Sequence, residues 1–334
     1  MTLTSIGDLS HALMIRSRSA TLKQQVSRLT QELAKGETLD LAKTLGGDYG
    51  YLSEIERGLS RLQSQTLATT EAAIFFEAAQ DSLELVRATA GELGSALLST
   101  ASTLTPDRVI GFSQRARQDL GSVIAALNAS SGGRHVFSGV ATGAAPLPAP
   151  ETVLEELRTE LTGYSTSAEI FAAADAWFED PAGFGVIYQG ADADLAPFEI
   201  GDGDQVEFGL RADDRALRST IRDAALAALV ADTDLGLGVE TQKEILESLA
   251  NRFLQGQSEL LALQSDLGHS EERLESARVR DDAAKFGLSE ARNALISADP
   301  FETATRLEEA QSQLEALYAV TVRSSRLSLM SFMS

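Results

Sequence analysis

The chain has 334 residues, 28 basic against 49 acidic side chains, a net charge of −21 and no cysteine. That length predicts about two domains at roughly 150 residues each. The acidic balance opposes binding to a nucleic-acid backbone or an anionic membrane, and the missing cysteine excludes disulfides, thiolate catalysis and cysteine-ligated zinc.

Aromatic residues make up only 6% of the chain and there are 7 prolines, a composition that suits long helices with thin apolar seams. The first twenty residues hold no apolar run of signal-peptide length, so no cleaved signal is expected. No stretch approaches the 18 or so apolar residues of a membrane span, so no membrane insertion is expected either.

In chain order, Leu22, Val26, Leu29 and Leu33 step by four, three and four, which predicts a helix with one apolar stripe ending at Gly36. The glycines between Gly36 and Gly50 predict a loop. A second helix is expected from about Ser53 to Leu104, carrying Ile55, Leu59, Leu62, Ala73, Phe76, Leu83, Val86, Ala90, Leu93 and Leu97. Thr105-Pro106 is a start signal for a third helix with Val109, Phe112, Ala116, Leu120, Val123 and Leu127 inward, stopped by Ser130-Ser131-Gly132-Gly133.

The pattern then changes. Residues 141–150 hold three prolines and predict a linker, and residues 151–235 mix short helices with the strand candidates VIYQG, FEI and VEFGL. Asp202-Gly203 between the last two is a hairpin signal. Trp177, Phe178 and Phe184 are expected to form a small core there. This segment carries 19 acidic and 5 basic residues, two-thirds of the whole negative charge.

From Thr241 to Ala298 a heptad seam is expected, built from Leu246, Leu249, Phe253, Leu260, Leu263, Leu267, Leu274, Leu288 and Leu295. A helix of that extent is about 85 Å long, which points to an elongated molecule or an assembly. After Asp299-Pro300 the helix restarts with Leu307, Leu314 and Leu317 and ends in an apolar stretch holding Leu327, Leu329 and Phe332. The fold class read from this pattern is mainly α. It is an elongated, antiparallel coiled-coil bundle with a small mixed α/β insert.

Nothing in the chain points to catalysis, a metal or a cofactor. Asp192-x-Asp194 and Asp202-x-Asp204 resemble fragments of a calcium loop but lack its glycine and its terminal glutamate. Gly46-Gly47-Asp48-Tyr49-Gly50 has no following Lys-Ser/Thr and reads as a connection, not a phosphate cradle. His11, His135 and His269 stand in no catalytic motif.

Three stretches carry a resemblance: NASSGGRHVFSG from Asn128 to Gly139, LGHSEERLE over 267–275, and the 304–332 segment ending in Leu327-Ser328-Leu329 and Phe332. Together with the order of helices, insert and helices, they resemble the flagellin superfamily, and within it the hook–filament junction proteins. The resemblance covers about 1–140 and 235–334; at 36–50 the chain has GGDYG where the family commonly has an Asp-Asp-Pro type segment.

The resemblance implies a non-enzymatic structural subunit, exported through the flagellar type III channel to the hook–filament junction outside the cell. It implies three nested layers: 1–45 with 298–334 for assembly, 46–140 with 236–297 as a helical rod, and 141–235 as an acidic surface-facing insert. The assembly contacts would run through Leu22, Val26, Leu29, Leu33, Leu307, Leu314, Leu317, Leu327, Leu329 and Phe332. The implied partners are neighbouring copies, a hook-side junction protein, filament flagellin and an export chaperone on the C-terminal helix. A filament flagellin, or a cytoplasmic coiled-coil scaffold, stays open as an alternative.

Overall fold

The computed structural model describes residues 6–100, 105–201 and 203–333, with the side chains of 6–9, 12, 99, 100 and 324–333 outside the description. Most of these residues are helical. In order they form α1 (Ile6–Lys35), α2 (Leu41–Thr44), α3 (Gly50–Thr100), α4 (Pro106–Leu127), β1 (Ser130–Ser131), β2 (Arg134–His135), α5 (Pro150–Leu161) and α6 (Ser167–Glu179). There follow α7 (Phe184–Ile187), β3 (Phe198–Glu199), β4 (Gln205–Val206), α8 (Arg215–Leu229), α9 (Val239–Ile296) and α10 (Pro300–Met333). The chain divides into two compact units, one made of 1–62 with 283–334 and the other of 63–282. Helices α3 and α9 contribute residues to both.

The unit of residues 63–282 holds one continuous apolar core. It joins Phe76, Leu83 and Leu93 of α3, Leu120 and Leu127 of α4, Leu157 of α5, Phe178 of α6, Leu217 of α8 and Leu246 to Leu274 of α9. The short helices between residues 150 and 229 therefore share their interior with the long ones. Burying each such side chain is worth about 1.5–3 kcal/mol, so this core carries the unit's stability. Phe178 and Phe184 are buried within it and stacked 5.0 Å apart, with Trp177 packed against its edge.

Helices α3 and α9 run antiparallel within this unit, with Gln257 donating to the Arg87 carbonyl at 2.9 Å and Gln264 donating to Glu84 at 3.1 Å. Glycine inside a helix costs about 1 kcal/mol, yet α3 has Gly91 and Gly94. At Gly94 the reason is proximity. A Cβ on Gly94 would stand 3.0 Å from the Phe253 Cβ, too close without a shift, whereas one on Gly91 would make ordinary contact with Gln257 Nε2 at 3.4 Å. Of the expected α3 stripe, Ala73 is exposed and Ala72 is buried in its place. All six expected α4 positions are buried.

The segment 128–139 ties the long helices to the shorter ones. β1 and β2 form a hairpin, Ser130 opposite His135, turned by Gly132 and Gly133 at φ +59° and +80°. That sign of φ at both central positions is the geometry a two-residue hairpin needs. The stretch 141–150 is pinned where a free linker was expected: the Asn128 amide donates to the Leu147 carbonyl at 2.9 Å and accepts from the Leu147 N–H at 3.0 Å. Arg134 pairs with Glu71 at 2.8 Å and lies over the Phe75 and Phe198 rings.

β3 and β4 pair antiparallel, from the expected FEI and VEFGL runs. Asp202, half of the expected turn, is outside the described residues, and Gly203 takes φ +82°. VIYQG does not form a strand: Val186 and Ile187 close the single turn α7. The acidic turns are neutralised by arginines. Asp194 pairs with Arg211, and Asp204 pairs with Arg273 at 3.1 Å and Arg280 at 3.0 Å.

Two predictions follow from this packing. Leu267→Asp puts a charge into the buried seam and should cost about 3 kcal/mol or more, read as a lower thermal unfolding midpoint. An unchanged midpoint would show that α9 does not bury this face. Glu271 has its pKa raised by burial first and then by Glu77 and Asp81. The folded chain therefore holds this proton more tightly than the unfolded chain. The resulting penalty is present at pH 7 and disappears below the ordinary glutamate value of 4.5. Glu271→Gln should raise the midpoint at pH 7 and leave it unchanged at pH 4.

Candidate assembly interface

The unit of 1–62 with 283–334 is built around the antiparallel pair α1 and α10. Helix α1 stops at Gly36, whose φ of +70° suits glycine, with its N–H donating to the Glu32 carbonyl at 2.8 Å. The next residues form a short bridge to the turn before α10. Thr38 N–H donates to Ile296 O at 2.8 Å, and Ala298 N–H donates to Gly36 O at 2.9 Å. Arg292 closes the same corner on Glu37 at 2.9 Å. Helix α10 then starts on Asp299, whose carboxylate accepts from the Phe301 and Glu302 N–H groups, with Pro300 at the first helical position.

From this corner the helices run side by side. Leu22 and Leu29 are buried and Val26 is half-buried, whereas Leu33 is 40% exposed. Glu32 is buried in its place because its carboxylate accepts the Leu39 N–H at 3.0 Å and lies 3.9 Å from Arg28. On α10, Thr303 and Ala310 are buried and Leu307, Leu314 and Leu317 are half-buried. The side chains of Leu327, Leu329 and Phe332 lie outside the described residues. Farther along the pair, Ile15, Ser19, Lys23, Leu317, Tyr318 and Thr321 line a shared groove. Lys23 sits 5.8 Å from the Tyr318 ring centre. Hydrogen bonds with Lys23 first and Ser19 second hold the Tyr318 hydroxyl below the usual tyrosine pKa.

The α9 seam divides along its length. Leu246, Leu249, Phe253, Leu260, Leu267 and Leu274 are buried and Leu263 is partly buried, all in or against the core of the unit of 63–282. Leu288 and Leu295 belong to the unit of 1–62 with 283–334 and are half-buried. There Gly58 admits Leu288, whose Cδ1 would be 2.8 Å from an added Cβ.

This unit has little interior. Among the described residues it buries seven apolar side chains: Leu22, Leu29, Leu52, Ile55, Leu62, Ile296 and Ala310. None belongs to the large apolar core. Against these seven it exposes Leu13, Met14, Leu33, Leu39, Tyr49, Tyr51, Phe286, Phe301, Tyr318, Val320 and Val322, with Phe301 at 83%. The unit of 63–282 exposes twelve such side chains over nearly twice the length, so exposed apolar residues are denser here. Most of these residues were not singled out by periodicity, because they sit off the inward stripes on the faces a helix pair leaves open. Their signal was composition alone: large apolar residues at positions where a solvated helix carries polar ones.

Charge separates in the same way. The unit of 1–62 with 283–334 has 13 basic and 13 acidic residues, whereas the other has 15 basic and 36 acidic, the full −21 of the chain. Among the described residues no group of three or more His, Asp or Glu could hold a metal ion. No helix among them is long and apolar enough to cross a membrane.

Residues 255–333 match the family described as the bacterial flagellin C-terminal helical region, which covers most of α9 and all of α10. No curated protein sequence matches the chain. Two solved structures share the fold. One is a protein of Vibrio parahaemolyticus described as a flagellar hook-associated protein, 12% identical, TM-score 0.52, covering 73% of this chain and 95% of that one. The other is FlgL of Bacillus cereus, 13% identical, TM-score 0.53, covering 72% of this chain and 100% of that one. The C-terminal helices of the chain are thus similar to the C-terminal helical region of bacterial flagellin, and its fold is shared with the two flagellar structures.

Proposed function

We propose that the chain is a non-catalytic structural subunit of the bacterial flagellum that joins hook to filament by assembling through its terminal helices. The carrying observation is the unit of 1–62 with 283–334, which buries seven apolar side chains and exposes eleven large ones. Its C-terminal part falls inside the flagellin-type match. Such a surface is stable when neighbouring copies cover it, so ordering and assembly are coupled.

In this reading Leu22, Val26 and Leu29 set α1 against Leu307, Leu314 and Leu317 of α10. Leu33, Leu327, Leu329 and Phe332 add to the surface offered to other subunits. The layer of 1–45 with 298–334 then makes the assembly contacts, and the acidic segment 141–235 faces solvent, where like charges repel least. The partners are further copies, the hook-side junction protein and filament flagellin, with an export chaperone on α10 before assembly. The chain leaves the cell without a cleaved signal peptide and resides at the hook–filament junction.

Removing residues 320–334 tests this reading. The truncated chain should disappear from sheared flagella and be found in the culture medium, while its unfolding midpoint stays within about 2 °C of the full chain, because the large core is untouched. Deleting the whole gene should leave hooks without filaments and flagellin secreted as monomer. Filaments of normal length in either strain would exclude the junction role. Abundance equal to that of the main filament protein would reassign the chain as filament flagellin.

A further inference from the structure

Negative charge and hydrogen-bond acceptors go unanswered at one place in the unit of 63–282. There α3 and α9 share a cavity of about 420 Å³ lined by Thr69, Ala73, Ile74, Glu77, Glu271 and Leu274. Three of these residues are apolar and two carry carboxylates. Asp81 stands one turn beyond Glu77 on α3. No ion pair forms on Glu77, Asp81 or Glu271 among the described residues. The arginines of the neighbouring turns are committed elsewhere: Arg87 to Glu84 at 2.8 Å, Arg134 to Glu71 at 2.8 Å, and Arg273 and Arg280 to Asp204. Arg278, which also lines the cavity, faces Glu275 at 3.8 Å.

Acceptors outnumber donors around the cavity as well. Thr69 is 2% exposed, and its hydroxyl has no hydrogen-bond partner among the described residues. Gln80 Oε1 is buried and equally without a partner there. Gln80 lies between Glu77 and Glu84, and Glu84 faces α9, where Gln264 donates to it at 3.1 Å. Glu77, seven residues before Glu84, shares that face. This side of the helix pair is therefore satisfied at Glu84, where Gln264 and Arg87 supply donors, and short of donors at Glu77 and Glu271. Burial first, then the charges of Glu77 and Asp81, raise the Glu271 pKa, and no cation offsets them.

We propose that this cavity binds an organic cation carried on an apolar arm: a guanidinium or ammonium group held between Glu77 and Glu271, with its alkyl chain against Ile74 and Leu274. Charge-assisted hydrogen bonds from the head group supply the donors that the carboxylates lack. The arm suits the apolar part of the lining, as the stems of lysine and arginine suit apolar surface elsewhere. A bare metal ion fits less well, because no group of three or more His, Asp or Glu among the described residues could hold one. Two sources share this chemistry: a free polyamine-type cation, and an arginine or lysine side chain of another polypeptide. The site goes beyond the junction reading and does not depend on it.

Isothermal titration of the purified full chain at pH 7 with millimolar butylguanidinium tests the site, against sodium chloride of equal ionic strength as the control for screening. Binding should saturate at one cation per chain. Methylguanidinium, shorter by three methylenes, should bind about tenfold more weakly or worse. Glu271→Gln and Glu77→Gln should each weaken butylguanidinium binding about tenfold. Because Glu271→Gln is also expected to raise the unfolding midpoint at pH 7, binding lost in that variant is not a loss of folding. Agmatine and N-acetylarginine methylamide then separate the sources. Tighter binding of the first assigns the site to a free cation, and tighter binding of the second to a side chain of a partner. No saturable binding, equal affinity for the methyl and butyl cations, or unchanged affinity in both glutamine variants would each overturn the site and leave the junction reading untouched.

Discussion

Two helices laid side by side share a single seam, and each turns most of its circumference outward. That constraint governs the unit formed by α1 and α10. Leu22, Leu29 and Ala310 fill the seam. Leu13, Met14, Phe301, Val320 and Val322 lie outside it and are exposed. In the other unit α3 and α9 meet the same constraint, and α4, α5, α6 and α8 cover what they leave open. The unit of 63–282 thus buries far more apolar side chains than it exposes, whereas among the described residues the other exposes more large ones than it buries.

Electrostatics reinforces this division. All of the net charge resides in the unit of 63–282, and its acidic turns are tied back by arginines, as at Asp204 with Arg273 and Arg280. Asp223, Asp175, Arg222 and Arg252 form a compact buried-edge cluster in the same unit, with Arg252 also lying 4.8 Å from the Phe171 ring centre. Burial pushes the Asp223 carboxyl up, and the two arginines pull it back down. The other unit carries equal numbers of basic and acidic side chains.

The helical part of this fold was legible because heptads report directly on burial. Every seventh residue from Leu246 to Leu274 is buried as spacing alone requires. Caps were legible too: Asp299-Pro300 and Gly36 act where sequence chemistry places them. Contacts between distant segments were not. Nothing local announces that Asn128 clamps Leu147, or that proline-rich 141–150 is held in place by that clamp. Gly94, costly inside a helix, is accounted for only by the approach of Phe253 from α9. Leu33 and Glu32 exchanged roles for a similar reason, since a backbone N–H at Leu39 outweighs one step of apolar periodicity. At the candidate interface the inward stripe could be read. The exposed aromatics Phe286 and Phe301 could not, because periodicity describes the face a helix hides.

The corner where Gly36, Glu37 and Thr38 bond to Ile296, Ser297 and Ala298 sets an order of events. It joins residues some 260 positions apart, and Lys23 meets Tyr318 across nearly 300. Between them lies the entire self-sufficient core. A chain that emerges N-terminus first from a ribosome can complete that core while α1 still waits for its partner. Loop closure over such a span comes late and is slow, because the intervening chain must be organised before the two strands of the connection can meet. The α1–α10 pair therefore forms last, after the final helix has arrived.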